Sequence, residues 1–262
     1  ERERTDNVKE FFIKKMKRKL QIDSFIALKN VSFKVKKGEV FGLIGDNGSG
    51  KSTLVNLLLR YYSPQKGNIL FDTKDVKEFS LDDYRKKFSI MRQKVFLFNA
   101  TIQDNIYMFK NEYEKERFSF PEILGFVDDL PQGGQTSVGF DGTQLSGGEK
   151  QRVALARCLK KDANILILDE ATSNCDVAME NVFIKSIKED KHDFLICITH
   201  NFRILEEFDR IILLKDGKIF ADGTFHEISS QIQGMESQVP AEHKKKLRKR
   251  IENERENLLQ NI

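Results

Sequence analysis

The residues that announce chemistry first are the run Gly45-Asp46-Asn47-Gly48-Ser49-Gly50-Lys51-Ser52. Glycines at 45, 48 and 50 let the backbone bend so that successive N–H groups face one point, and a helix starting behind them adds the positive end of its dipole. Such a loop cradles phosphate oxygens. Lys51 supplies a cation for the β- and γ-phosphates, Ser52 offers a hydroxyl where magnesium takes an oxygen ligand, and Thr53 lies beside it. Asp46, Asn47 and Ser49 complete the loop. The expected ligand is ATP with Mg2+.

Two further constellations bear on phosphate chemistry. In ILILDE (165–170) an apolar strand delivers two acids at its carboxyl end, the edge at which open α/β sheets bind ligands. Asp169 would orient magnesium, and Glu170 would polarise the water that attacks the γ-phosphate. The competing reading is an acidic helix N-cap. In QLSGGEKQR (144–152), Ser146 precedes Gly147 and Gly148 at a helix start, which makes a second terminus able to hold an anion. One phosphate loop and two phosphate-binding faces in one chain point to a nucleotide shared between two subunits.

These residues need elements to position them. VSFKV (31–35) and VFGLI (40–44) are expected as strands joined by a KKGE turn, and STLVNLLLRYY (52–62) as the helix behind the loop. ILIL (165–168), FLICIT (194–199) and RIILL (210–214) suit strands buried on both faces. The helical stretches GEKQRVALARCLKK and VAMENVFIKSIKED separate them, which predicts an α/β fold with a largely parallel sheet. Between roughly 101 and 145 the periodicity breaks, and a small, mostly helical subdomain is expected. Asn7 followed by Glu10 could cap a basic helix through residue 20, and AEHKKKLRKRIENERENLLQNI reads as a charged helical tail. The expected division is 1–20 as basic helix or linker, 21–233 as the nucleotide-binding domain with its helical subdomain at about 101–160, and 234–262 as tail.

Composition narrows the class. With 262 residues, 39% hydrophobic and 32% charged, the chain can bury a sizeable core. Lys and Arg number 44 against 40 Asp and Glu, too even a balance for a nucleic-acid footprint, so no nucleic acid is expected. Cys158, Cys175 and Cys197 lack metal-type spacing and are odd in number, which excludes a disulfide framework and fits a reducing compartment. No run approaches the eighteen or so apolar residues of a membrane span, and ERERTDNVKE is not a signal peptide. Because the chain starts at Glu1 without a Met, a piece of something longer is expected.

The phosphate loop, ILILDE and QLSGGEKQR together closely resemble the nucleotide-binding domain of the ATP-binding cassette (ABC) family, whose signature is LSGGQ; Glu149 stands where the family has Gln. The resemblance covers about residues 25–232. It implies a P-loop NTPase cassette with a mostly parallel core sheet, an antiparallel β subdomain and a small helical subdomain. Gln93, in SIMRQKVFLF, resembles the Q-loop glutamine that senses the γ-phosphate and touches magnesium; Ser173 and Asp176, in ATSNCD, resemble the D-loop; His200, in CITHN, resembles the switch histidine. Ser146 to Glu149 would act on the nucleotide of a second nucleotide-binding domain, identical or related. Phe25 is the aromatic nearest the place of the family's base-stacking residue, with core packing as its competing use.

VFLFNATIQDNI (95–106) and LPQGGQTSVGFDGTQLSGGEKQR (130–152) are similar to exporter cassettes. The implied activity is ATP hydrolysis coupled to outward transport, at the cytoplasmic face of a membrane, with a transmembrane domain fused upstream or on another chain. A soluble ABC-type ATPase and a regulatory cassette without transport are the alternatives, and retention of Glu170 and His200 speaks against a dead site.

Overall fold

The computed structural model describes residues 26–109, 121–172, 177–189 and 192–233. The basic stretch 1–20, Phe25, the D-loop positions 173–176 and the tail 234–262 lie outside them. In chain order the elements are β1 (Val40–Gly45), α1 (Lys51–Leu58), β2 (Leu70–Phe71), β3 (Lys74–Asp75), α2 (Leu81–Lys86), β4 (Phe88–Met91), α3 (Ile102–Tyr107), α4 (Pro121–Leu124), α5 (Gly147–Lys160), β5 (Ile165–Asp169), α6 (Val177–Lys188), β6 (Phe194–Ile198), β7 (Arg210–Lys215), β8 (Lys218–Gly223) and α7 (Phe225–Gln233).

The main sheet has the order β4-β5-β6-β1-β7-β8. All neighbours run parallel except β7 and β8, which form an antiparallel pair at one edge. A separate antiparallel pair joins β2 to β3. The α/β class with a mostly parallel sheet and a small antiparallel sheet is therefore as the sequence implies.

The apolar strands face two cores. Ile165 and Ile167 of β5 pack with Phe41, Leu43, Ile196 and Ile198, under Leu54 and Val55 of α1 and Tyr84 of α2. Leu166 and Leu168 point the other way, into a core with Leu213, Val153 and Leu155 of α5 and Phe183 of α6. Side chains alternate faces along a strand, so helices on both faces require strands that are apolar at every position. ILIL meets that demand.

Local chemistry sets the helix ends. Ser146 caps α5 and Thr101 caps α3, each in a reciprocal box with the acid three residues on, Glu149 and Asp104. The helix expected over 52–62 stops at Leu58. Arg60 turns left-handed (φ 54°), and the carbonyls freed at the helix end accept from α2: Tyr84 Oη donates to Leu58 O at 2.8 Å, and Arg85 donates to Leu59 O and Arg60 O at 3.2 Å each. Arg157 of α5 ties the helical region to the preceding segment, donating to Asn105 O and Oδ1 at 2.7 Å and to Phe96 O at 2.9 Å.

One expected strand is not a strand. VSFKV (31–35) keeps the alternation of a strand, with Val31, Phe33 and Val35 half-buried against the core and Phe33 stacked on Phe41 at 5.4 Å. It does not pair with β1, because both edges of β1 are occupied, by β6 and by β7. The segment lies over the sheet face instead, with Lys34 O accepting from Arg210 at 2.8 Å.

Ile167 lies fully buried in the middle of the sheet. Ile167→Ala is expected to destabilise the chain by about 2–5 kcal/mol, read as a lower urea midpoint at unchanged slope; a loss under about 0.5 kcal/mol would contradict a close-packed sheet face.

Candidate nucleotide site

β1 runs directly into the phosphate loop, and the loop's shape depends on missing side chains. Gly45 sits at φ 154°, and a Cβ there would lie 2.3 Å from Leu214 O. Gly50, at φ 106°, would drive a Cβ to 2.6 Å from Leu28 Cδ2 and 2.8 Å from Ala27 O. Ala27 and Leu28 thus pack against the loop. Lys51 opens α1, and its buried ammonium donates to Gly45 O at 2.6 Å and Asp46 O at 2.9 Å. Those bonds fold the lysine back over the loop. Asn47 and Ser52 are exposed, Gly48 is exposed at φ 81°, and Thr53 is half-buried.

Two polar atoms of the loop, Asp46 Oδ1 and Ser49 Oγ, are buried without a hydrogen-bond partner. Buried polar atoms are rarely left unmatched. Their position in a phosphate cradle fits a polyphosphate with its hydration and metal.

The acids lie at the same edge. Asp169 closes β5, and the next residue, Glu170, bends left-handed (φ 53°) while its N–H donates to Ile198 O at 2.8 Å. That bend swings the Glu170 carboxylate out of the strand line. There His200 Nε2 lies 2.9 Å from Oε1, and Gln93 Nε2 donates to Oε2. Glu170 is thereby bracketed by the two residues whose resemblance marks them as γ-phosphate sensors. The structure brings Lys51, Asp169, Glu170, Gln93 and His200 together, whereas Ser146 and Gly147 stand exposed at the start of α5, a helix packed on α3, α4 and β4. Gly148 and Glu149 are half-buried behind them. Phe25, Ser173 and Asp176 lie outside the described residues.

Burial and crowding shape the charges. Burial pushes the Asp169 carboxyl above its usual range and adjacent Glu170 adds to this, while Arg92 and Lys51 pull the other way. Lys51 is lowered by burial and held up by Glu170, Asp46 and Asp169. Burial, then Lys51, depress His200 against the raising influence of Glu170. Unmatched charge in a semi-dry site favours the neutral forms, so added phosphate and cation would rebalance the set. Ser52, Asp169 and Gln93 each carry an oxygen donor, the ligand type that suits Mg2+.

A family model described as "ABC transporter" matches residues 28–173. The chain belongs to the ABC transporter family. An ATP-dependent lipid A-core flippase of Vibrio cholerae is 38% identical over 211 residues, 78% of this chain and 36% of the flippase. A mitochondrial iron-sulfur clusters transporter ATM1 of Kluyveromyces lactis is 37% identical over 219 residues, 81% of this chain and 30% of that protein. A bacterial Atm1-family ABC exporter with ATP bound superposes with a TM-score of 0.72 at 34% identity, covering 79% of this chain and 37% of that one. The chain thus spans about a third of the length of the curated relatives it matches. Among the described residues no helix is long and apolar enough to cross a membrane.

Sequence reasoning passed over three residues around this site. Arg92 puts a cation near Asp169 and stacks over Tyr61 at 5.6 Å; its place beside Gln93 was the available signal. Glu180 and Asn201 meet across two elements far apart in sequence, and no local pattern signals that meeting.

His200 supplies a pH test. An imidazole depressed below its ordinary 6.5 leaves the unfolded chain binding more protons just below that pH. This site's contribution to stability is therefore present above pH 6.5 and lost as pH falls through the folded midpoint. Imidazole NMR titration is expected to place His200 below 6.5 and Lys51→Met to move it upward; a parental midpoint at or above 6.5 would contradict the assignment.

Proposed function

We propose that the chain binds ATP on one face with the phosphate loop and hydrolyses it when Ser146 to Gly148 of a second nucleotide-binding domain close the other face. The cycle of closure and release would drive outward transport by a membrane domain. The carrying observation is Glu170, held between Gln93 and His200 at the strand edge that presents Lys51.

In this reading Lys51 grips the β- and γ-phosphates, and the N–H groups at 45–52 surround them. Glu170 accepts the proton of the attacking water. His200 and Gln93 keep its carboxylate aimed, and both stand where they would sense a γ-phosphate. Ser52, Asp169 and Gln93 would hold Mg2+, which when bound neutralises charge on the transferring phosphoryl group. Ser146 accepts the Glu149 N–H at 3.3 Å, while its own N–H donates to Glu149 Oε2 at 2.7 Å. The Ser146 hydroxyl proton stays available to donate to a phosphate oxygen across the interface. Glu149, in place of Gln, thus serves the helix cap.

An exposed apolar surface supports the reading of a membrane partner. Phe96 and Phe109 flank Phe98 edge-to-face at 5.1 and 5.5 Å, and with Met108 they are about half exposed. Phe96 lies three residues beyond Gln93, so this apolar patch is suited to receive a membrane domain's helix where the γ-phosphate is sensed. The chain would then work at the cytoplasmic face of a membrane, paired with an identical or related cassette.

Glu170→Gln is expected to keep ATP affinity while turnover falls by about 10²–10⁴, the usual range for losing a general base; turnover at the parental rate would overturn the assignment. Ser146→Arg is expected to leave ATP binding to the monomer intact and abolish the ATP-dependent dimer in sedimentation, and an undiminished dimer would refute the shared site.

A further inference from the structure

Glu180 is a buried carboxylate with no part in the phosphate chemistry described above. It lies in the first turn of α6, where the helix dipole favours a negative charge. Asn201 Nδ2 donates to Glu180 Oε1. Asn201 is the residue after His200, and its backbone N–H donates to Thr199 Oγ1 at 2.9 Å. Thr199 is buried and donates its own N–H to Leu43 O in β1 at 3.3 Å. His200 therefore sits between two anchored neighbours, one tied to the sheet and the other tied to α6. An imidazole 2.9 Å from Glu170 keeps that contact only while the backbone on both sides stays in place.

We propose that Glu180 is a positioning residue: by accepting the Asn201 amide it fixes the switch segment, aims His200 at Glu170, and links the start of α6 to the hydrolytic edge. The inference rests on the reading of His200 given above. A hydrogen bond to a buried carboxylate is among the stronger ones, so losing this donor costs more than losing a bond between neutral groups. α6 begins immediately after positions 173–176, the stretch that resembles the segment crossing to a second subunit.

The test exchanges donor and acceptor at constant side-chain length in the full chain. Asn201→Asp sets two carboxylates against each other, and kcat for ATP is expected to fall about tenfold or more, as misplacing a catalytic group by about an ångström can cost up to about 10²-fold. KM is expected to change less than about twofold, because substrate binding is not the interaction lost. Asn201→Ala should show the same split more mildly. Combining Asn201→Asp with Glu180→Gln restores an amide facing a carboxylate, and kcat should return to within about threefold of the parent. Thermal melts of each variant separate loss of fold from loss of aim. Parental kcat in both single Asn201 variants, or a double variant no faster than Asn201→Asp, would overturn the proposal. His200→Ala serves as the reference: parental turnover there would overturn the reading of the site itself, whereas its loss alongside a failed exchange would overturn only the role of Glu180.

Discussion

Three neighbouring parallel strands end at one edge of the sheet, β5 and β6 level and β1 two residues beyond them, and the rest of the site depends on that alignment. Asp169 is in register with Ile198, and Ile198 with Leu43. One residue further along each strand, the Glu170 N–H reaches Ile198 O and the Thr199 N–H reaches Leu43 O. The ladder thus continues for one step past the ends of β5 and β6. It then releases Glu170, His200 and the phosphate loop at the same edge, where parallel sheets leave their carboxyl ends open. A slip of one residue in any of the three strands would turn each side chain into the opposite core and scatter the site.

The same edge concentrates opposed charges. Burial pushes Asp169 up and Lys51 and His200 down, while the charges of Glu170 and Lys51 act on Asp169 and His200 and those of Glu170, Asp46 and Asp169 hold Lys51 up. Lys51 is held by the carbonyls of Gly45 and Asp46. Its charge is oriented before any substrate arrives. Preorganised charge that need not rearrange during reaction is what makes electrostatic stabilisation effective. The Ser49 hydroxyl, buried in the same loop without a protein partner, adds a donor suited to a phosphate oxygen.

Much of this was legible in the residues themselves, because the decisive features are local. Strand, glycine loop and helix follow one another without a break, and ILIL carries its acids at its own end. The misread segment, 31–35, shows the limit: its alternation truly records which side chains face the core, yet strand pairing depends on whether a neighbouring edge is free. β4 escaped notice because it carries a serine; Ser89 Oγ is buried and donates to Cys158 O at 2.9 Å, a contact with a helix far along the chain. The pairing of Glu180 with Asn201 is invisible for the same reason. The Gln93–Glu170 contact spans as great a distance in sequence, and resemblance to a family marked its members singly without showing that they touch.

The central claim is that one chain supplies half of two sites, and complementation tests it most directly. Lys51→Met damages the phosphate loop and spares Ser146 to Gly148, while Ser146→Arg does the reverse. Each variant alone should be nearly inactive. Mixed, they can form a dimer in which one nucleotide is met by an intact loop from one subunit and an intact signature from the other, so ATP hydrolysis should reappear in the mixture. If the mixture is no more active than either variant while heterodimers are shown to form, the site is not shared between subunits as described.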